Sequence, residues 1–194
     1  MLKPVLVTAP SVKPIGLDEV KKNCNIDHGD DDALIEGLID AAVSLLDGHA
    51  GERGQAMINQ SWSVSMRQFC ASIRLPVGPL VSVTSVQYYN SSDVLTLASA
   101  SLYGAFTDGL GAYISLKANQ TWPSVADRED AVTVTWVAGF GATADKVPAA
   151  IRQAMLLLVG HWYQNRETVS VGDAVYQLPF AVDALLGPRR RVGG

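Results

Sequence analysis

The sequence GFGATA, from Gly139 to Ala144, is the stretch that most resembles a ligand-binding motif. It fits the pattern G-x-G-x-x-A and follows a predicted strand, which is where the pyrophosphate of a dinucleotide binds at a helix N-terminus. The next predicted helix begins only at Pro148, however, and too few elements follow it to complete a βαβ unit with its ribose-binding acid. We therefore favour a glycine-rich strand exit over a dinucleotide site, and we predict no cofactor.

Side chains that could bind a metal ion or act as a catalytic base are scattered along the chain. His28, His49 and His161 are far apart, and none has a cysteine or carboxylate at a spacing typical of a zinc site. The acids around His28 would permit adventitious metal binding, but a capped helix start is the favoured interpretation. The sequence contains no G-x-S-x-G, P-loop or HExxH motif. We predict no catalytic and no metal-binding residues, and thus a protein that is not an enzyme.

Two further features are interpreted as structural. The run DRED, residues 127–130, contains its own arginine and directly precedes a predicted strand, so a solvated turn accounts for it. Cys24 and Cys70 lie in different predicted elements and form no CxxC or disulfide-rich pattern. We expect both thiols to be buried.

Two amphipathic helices are predicted in the first 50 residues. Leu17 to Cys24 has apolar residues at helical spacing and is followed by breakers. The stretch DDDALIEGLIDAAVSLLDGHAG, residues 30–51, carries an apolar stripe with an acidic stripe beside it. Asp30 or Asp31 is expected to cap this second helix. The apolar stripe comprises Leu34, Ile35, Leu38, Ile39, Ala42, Leu45 and Leu46, and the acidic stripe includes Glu36, Asp40 and Asp47.

A third helix is predicted from Pro148 to Arg166, and it is apolar around almost its whole circumference. Such a helix must be buried on all sides, either by the second helix and one face of the sheet or, in part, by another copy of the chain. Trp162 and Tyr163 suit an interface because they combine a large apolar area with a polar group. A short fourth helix is predicted around residues 180–186, ended by Gly187.

Between about Gln60 and Ala138 the hydrophobic period changes to two, which predicts half-buried strands. Gly, Pro, Asn, Ser and Asp separate them, at spacings that suit a small antiparallel sheet or barrel. The predicted strands are SWSVSMR, IRLP, VSVTSVQYY, VLTL, SLYGAF, AYISL and VTVTWV.

Together these elements predict an α+β fold, in which an α-helical bundle of two N-terminal helices, one long and one short C-terminal helix carries a small antiparallel β insertion. The predicted organisation has four parts. They are an extended N-terminal segment at 1–16, a helical body at 17–59 and 147–187, the β-rich insertion at 60–146, and a basic tail at 188–194.

The overall charge and hydrophobicity narrow the class of protein. Hydrophobic residues make up 48% and charged residues 18% of the 194 residues, which is typical of a folded soluble chain. No apolar run approaches the roughly 20 residues of a membrane span, and prolines interrupt the N-terminus, so a cytoplasmic protein is expected. The formal net charge of −4 disfavours nucleic-acid wrapping, and only the run RRR at 189–191 departs from this balance.

Several stretches, in this order from about Leu17 to Arg190, resemble one known family. They are LDEVKKNCNID, DDDALIEGLIDAAVSLLDGHAG, NQSW, IRLPVGPLVSVTSVQYY, VTVTWVAGFG, VPAAIRQAMLLLVGHWYQNRE and LPFAVDALLGPRR. The set is similar to the head-tail connector proteins, also called head-completion or adaptor proteins, of long-tailed double-stranded DNA phages. These proteins also occur in prophages and gene-transfer agents.

The resemblance implies a structural homo-oligomer, a ring of roughly twelve subunits docked beneath the portal protein at the head-tail junction of the virion. Double-stranded DNA would pass through the ring without sequence recognition, and the tail or a stopper protein would attach to it. The helices around residues 31–50 and 148–166 would build the ring body, and the segment from Leu178 would reach a neighbour or the portal. Assembly in the host bacterial cytoplasm and no membrane partner are further expectations.

Two sets of candidate functional residues follow from combining the resemblance with the helix patterns. The subunit or portal interface is expected to include Leu158, Trp162, Tyr163, Phe180, Leu185, Leu186, Arg189 and Arg190. The acids Glu36, Asp40 and Asp47 are expected to line or approach the channel, because a neutral or acidic lumen lets the phosphate backbone slide.

The main alternative function is a DNA-binding module. It would use Arg189 to Arg191 together with the β-rich middle of the chain. That alternative requires salt-dependent DNA binding by the isolated protein.

Overall fold

The structure is a computed structural model, and it describes residues 1–165 and 180–187. The helices are α1 (Leu17–Cys24), α2 (Asp32–Leu46), α3 (Ala149–Gln164) and α4 (Phe180–Leu186), with a short 3-10 helix at Ala144–Lys146. The strands are β1 (Val5–Thr8), β2 (Gln60–Met66), β3 (Ser72–Arg74), β4 (Leu80–Tyr89), β5 (Leu95–Leu97), β6 (Tyr103–Asp108), β7 (Gly111–Leu116) and β8 (Val132–Ala138). No helix within the described residues is long and apolar enough to span a bilayer.

The predicted fold class is wrong in its proportions, because the β part is not a small insertion in a helical bundle. Within the described residues, eight strands form two antiparallel sheets. The five-stranded sheet has the order β1-β2-β8-β4-β5, and the three-stranded sheet has the order β3-β7-β6. One strand of the larger sheet, β1, comes from the N-terminal segment, so the sheet also extends beyond the predicted insertion.

The two sheets share one hydrophobic core. Alternate side chains of β2 and β8 are buried, in the pattern that the period of two predicts. Trp136 on β8 lies opposite Trp62 on β2 and is fully buried. Ile73 and Ile114, which face each other across the β3–β7 pair, contribute to the same core from the smaller sheet. The β-rich region is therefore stabilised by packing between two sheets, which a single small sheet could not provide.

The helices form a second hydrophobic core. It contains Ile35, Ile39, Ala42 and Leu46 of α2, which are the inward half of the predicted apolar stripe. Helix α3 packs against α1, α2 and α4, and Arg152 on α3 donates a hydrogen bond of 2.6 Å to Glu19 on α1. The core around α3 is formed by the other helices together with segments that include Met57 and Ile58. The sequence had left two kinds of cover open, namely the second helix with one face of the sheet, or in part another copy of the chain.

The ends of α2 differ from the sequence interpretation. Asp31 occupies the N-cap position, but its side chain makes no capping hydrogen bond and instead accepts one of 2.6 Å from the Tyr163 hydroxyl. At the other end α2 stops at Leu46, and Asp47 has an extended backbone with φ of −93°. Gly48 follows with φ of +72°, a conformation that favours glycine. The helix is therefore shorter than the stretch 30–51 suggested.

Candidate assembly surfaces

The side chains predicted for the subunit or portal interface lie at different depths in the helical layer. Leu158 and Leu186 are buried in the helical core. Trp162, Tyr163 and Leu185 are only partly buried and pack against that core. All five side chains thus belong to, or pack against, the same helical core, in which α3 contacts α4. The side chain of Phe180 and all of Arg189 and Arg190 lie outside the described residues.

Two of the three acids predicted for the channel share one surface. The Nζ atom of Lys13 lies 2.6 Å from a carboxylate oxygen of Glu36 and 2.7 Å from one of Asp40. Glu36 and Asp40 are four residues apart, so they project from the same side of α2. The hydrogen bond to Asp40 and then that to Glu36 raise the pKa of the Lys13 ammonium group. This cluster is solvent-exposed, and its ion pairs add little to stability.

Asp47 lines the same surface pocket as Lys13 and Asp40, but its carboxylate is turned toward the segment before β2. Its carboxylate accepts a hydrogen bond of 2.6 Å from the backbone N–H of Met57 and bonds of 3.1 and 2.9 Å from the side-chain amide of Gln60. Because α2 ends one residue earlier, Asp47 does not continue the acidic stripe of the helix. Asp47 therefore lies in the segment that links α2 to β2, after the end of the helix that carries Glu36 and Asp40.

The burial of Asp47 predicts a specific dependence of stability on pH. Burial raises the pKa of its carboxyl group, although hydrogen bonds from Gln60, Met57 and Gly48 act in the opposite direction. The folded state therefore holds this proton to a higher pH than the unfolded chain does. The contribution of Asp47 to stability is then fully present below its unfolded pKa, and it is lost as the pH rises through the raised folded value.

The Asp47→Asn variant tests this dependence. Unfolding in urea at a series of pH values above about 4 should show the stability of wild-type protein falling relative to that of the variant as the pH rises. The asparagine retains an oxygen that can accept the Met57 N–H bond, so the variant is expected to fold. A difference between the two proteins that does not change with pH would contradict the assignment.

The GFGATA stretch is packed against the chain in the way expected of a strand exit. Gly139 has φ of +150°, and a β-carbon there would lie 2.5 Å from the backbone nitrogen of Asn59. The N–H of Phe140 donates to the carbonyl of Met57, and the N–H of Asn59 donates to the carbonyl of Gly141. The glycines thus permit close contact between two backbone segments at the end of β8.

The remaining candidates for chemistry are dispersed. No three metal-binding side chains come together within the described residues. Cys24 is partly buried and Cys70 is exposed, so the expectation of two buried thiols is wrong for Cys70. Cys70 lies in the turn between β2 and β3, where sequence patterning did not indicate exposure.

Most positive charges of the described surface are paired with carboxylates. In the DRED turn, Arg128 contacts Asp130 and Asp93, and its guanidinium lies 3.6 Å from the centre of the Tyr89 ring. Arg74 forms a two-point contact with Asp108, and this hydrogen bonding lowers the pKa of Asp108 to about 2. Neutralised cations of this kind offer little attraction to phosphate groups.

The outer strands of the five-stranded sheet are a surface that sequence patterning did not identify. Val5, Leu6 and Val7 of β1 and Leu95 and Leu97 of β5 are exposed. The sequence could have indicated these strands through two short runs without charges, VLV and LTL. Prolines at positions 4 and 10 had favoured a merely extended segment in place of β1, although proline is compatible with an edge strand.

Comparison with known proteins connects this fold to phage-like particles. Residues 14–99 match the family described as phage gp6-like head-tail connector protein. A search of curated protein sequences gave no match.

Three solved structures share the fold along nearly the whole chain. A chain in the virion of the native gene transfer agent (GTA) particle is 22% identical, with a TM-score of 0.77, and the match covers 100% of this chain and 97% of that one. A chain in the neck of the empty GTA particle, computed with C6 symmetry, is 20% identical, with a TM-score of 0.73 and coverage of 97% and 100%. A chain in the neck of the native GTA particle, computed with C12 symmetry, is 21% identical, with a TM-score of 0.67 and coverage of 95% and 93%.

The solved structures show that this fold also occurs in chains of GTA particles. The family match over residues 14–99 confirms the resemblance to head-tail connector proteins that the sequence indicated.

Proposed function

We propose that this protein is a structural head-tail connector of a tailed phage, prophage or gene-transfer agent. It forms a ring of roughly twelve copies beneath the portal, passes double-stranded DNA without reading its sequence, and binds a tail or stopper protein on the other side. The proposal is carried by the end-to-end correspondence with a chain of the GTA virion, joined to the family match over residues 14–99. In this role the protein performs no catalysis and needs no cofactor.

The two hydrophobic cores divide the chain into two parts, and we propose a different role for each part in the ring. We propose that segments 17–59 and 147–187, which contribute the helical core, form the body of the connector. Residues 60–146, which contribute nearly all of the sheet core, form a β-rich unit beside it. Segment 1–16 contributes β1 to the sheet and Ile15 to the helical core, and 188–194 is proposed to be a basic tail. Assembly would take place in the host bacterial cytoplasm, and the final location is the head-tail junction.

The region around α3 and α4 is proposed as the contact with the portal or a neighbouring subunit. Trp162, Tyr163 and Leu185 have exposed area available for such a contact. Leu158 of α3 and Leu186 of α4 lie in the helical core, where they stabilise the packing on which this surface depends. Phe180, Arg189 and Arg190 complete the proposed interface.

We propose that the surface of Glu36 and Asp40 faces the channel. Carboxylates there repel the phosphate backbone, and the surrounding salt limits this repulsion to a short range, so DNA can slide. Asp47 is proposed to approach the channel beside them, because it lines the same pocket as Asp40, with its carboxylate held by Gln60 and Met57.

Reversing these two charges is expected to convert a sliding surface into a binding surface. Assembled rings of a Glu36→Lys, Asp40→Lys double variant should retain duplex DNA at low salt on the order of tenfold more tightly than wild-type rings, with a steep loss on adding salt. Gel shifts across salt concentrations measure this effect. The matched control is Asp127→Lys with Glu129→Lys, which places the same charges on an exposed turn of the β-rich unit. Equal retention by both variants would remove the channel assignment.

The connector function itself is tested by removing the protein from cells that produce particles. Electron microscopy is expected to show filled or leaking heads separated from free tails, and supplying the protein should restore joined particles. Complete head-tail particles made without the protein would refute the proposed function.

A further inference from the structure

The five-stranded sheet presents an uncharged, apolar strand at each of its two edges. In β1, Val5 is 60% exposed, and in β5, Leu97 is 65% exposed. Within residues 1–165 and 180–187, no strand pairs with the outer edge of either one. Soluble proteins commonly protect sheet edges with charged side chains, because an unprotected edge is a template for pairing with another strand, and neither VLVT nor LTL contains a charge.

The apolar side chains at the two edges project from the same face of the sheet. Paired residues in neighbouring strands share a face, and residues two apart in one strand do so as well. Val5 pairs with Ser63 on β2, and Leu97 pairs with Gln87 on β4. The register links these pairs across the sheet through residues of this one face, namely Ser63, Ser65, Thr133 and Gln87.

The backbone of β5 has hydrogen-bonding groups directed away from the sheet. The N–H of Ala98 donates to the carbonyl of Val86, so Ala98 and, two residues before it, Thr96 direct their polar groups toward β4. The N–H and C=O groups of Leu95 and Leu97 therefore point outward. Every neighbouring pair in the five-stranded sheet is antiparallel, which makes β1 and β5 parallel to each other.

We propose that β5 of one copy pairs in parallel with β1 of the next copy, so that the five-stranded sheets join from subunit to subunit. The inference deepens the proposed function and rests on the ring that it describes. The two edges are different surfaces, so the contact is heterologous, and repeated contacts of this kind close into a ring when the rotation between copies permits it.

Pairing of the two strands gives hydrogen-bond partners to outward backbone groups and brings exposed apolar side chains into contact. Pairing provides partners for the outward backbone groups of Leu95 and Leu97. It also places these leucines beside Val5 of the next copy on the shared face, where cross-strand apolar pairs stabilise a sheet. The absence of charged side chains in VLVT and LTL means that no like-charge contact opposes the pairing.

Cysteine cross-linking tests the geometry of this joint. In a Cys24→Ser, Cys70→Ser background, a chain with Val5→Cys and Leu97→Cys is expected to give a ladder of disulfide-linked oligomers on mild oxidation of assembled rings. Leu95→Cys and Val7→Cys serve as register alternatives, because a disulfide requires Cα atoms within about 7 Å. The control chain combines Val5→Cys with Leu110→Cys, which lies in the turn between β6 and β7.

Single variants separate the proposed joint from a twofold pairing of identical edges. Chains with only Val5→Cys or only Leu97→Cys should remain monomeric on denaturing gels, and a mixture of the two should give only dimers. A strong dimer from Val5→Cys alone would indicate that β1 pairs with β1, and it would overturn the proposal. Ladders from the Leu110→Cys control that equal those from Leu97→Cys would also overturn it.

A charge placed at the edge gives an independent result. Leu97→Lys is expected to reduce the fraction of protein in rings by at least about tenfold, with an unchanged melting temperature of the single chain. Leu110→Lys is the matched control, because Leu110 is also 65% exposed, and it should leave ring formation unchanged. A lower melting temperature for Leu97→Lys would show that the chain itself covers this edge, and it would contradict the joint.

The connector function and the β5–β1 joint would be contradicted by different results. If wild-type rings form while Leu97→Lys rings form equally well and no edge cross-links appear, the joint is wrong and the connector function stands. If wild-type protein forms no rings, either alone or with portal protein, both the proposed function and the joint are contradicted.

Discussion

Leu158→Ala is expected to lower the free energy of unfolding by about 2–5 kcal/mol, in the range for large-to-small substitutions in a core. Leu158 is 1% exposed, and it lies in the helical core with residues of α1, α2 and α4. The truncation removes the apolar contacts of this side chain and leaves a cavity that the neighbouring helices can fill only in part. Urea unfolding monitored by circular dichroism measures the change.

The same substitution on the surface provides the control for Leu158→Ala. Leu34 on α2 is 39% exposed, so Leu34→Ala should cost less than about 1 kcal/mol, because less apolar area is lost from the folded state. Similar costs for the two leucines would contradict the assignment of α3 as the centre of the helical core.

Trp136→Ala is expected to lower the free energy of unfolding by about 3–5 kcal/mol. The indole is fully buried between the sheets, and its Nε1–H donates a hydrogen bond of 3.0 Å to the carbonyl of Val77. The alanine removes the largest fully buried side chain of the protein as described and leaves that carbonyl without its indole partner. Chemical denaturation with a near-ultraviolet circular dichroism probe checks the prediction.

Two further tryptophan variants separate burial from hydrogen bonding. Trp136→Phe keeps much of the apolar volume but loses the donor, so its cost should be clearly smaller than that of the alanine variant. Trp122→Ala changes a partly exposed indole that stacks on Phe69 at 4.3 Å, and its cost should also be smaller. If Trp122→Ala were the more damaging change, the sheet core would be wrongly located.

Local patterns predicted most of the elements, but they did not predict how the strands associate. Alternation identified β2 and β8, and each is buried on alternate residues as expected. Pairing depends on contacts between residues far apart in sequence, such as Ile73 with Ile114, and a period of two carries no information on partner choice. The division into two packed sheets was therefore missed, and the β part was underestimated.

The acidic stripe shows how one helix boundary alters a candidate site. A continuous helix would have placed Asp47 seven residues after Asp40 on the same face. The helix ends at Leu46, and the extended backbone at Asp47 turns its carboxylate toward Gln60 and Met57. Glu36 and Asp40 remain together on α2, and Asp47 lines the same pocket as Asp40 with its carboxylate turned away from the helix.

The apolar circumference of α3 is explained largely within a single chain. Leu156, Leu158 and Val159 lie on different sides of the helix, and all are buried by neighbouring segments. Gly160 allows close approach to α1, since a β-carbon there would lie 3.3 Å from the sulfur of Cys24. Leu157, Trp162 and Tyr163 are the larger apolar residues of α3 that stay partly exposed. Two of them lie near the end of the helix, where the interface is proposed.

The most direct test of the connector assignment is the molar mass of the purified protein, measured by light scattering alone and after mixing with its portal protein. The account predicts a species of several copies, formed alone or on the portal, that elutes with the portal in the mixture. A mass of one chain, about 20.7 kDa, under both conditions would contradict it.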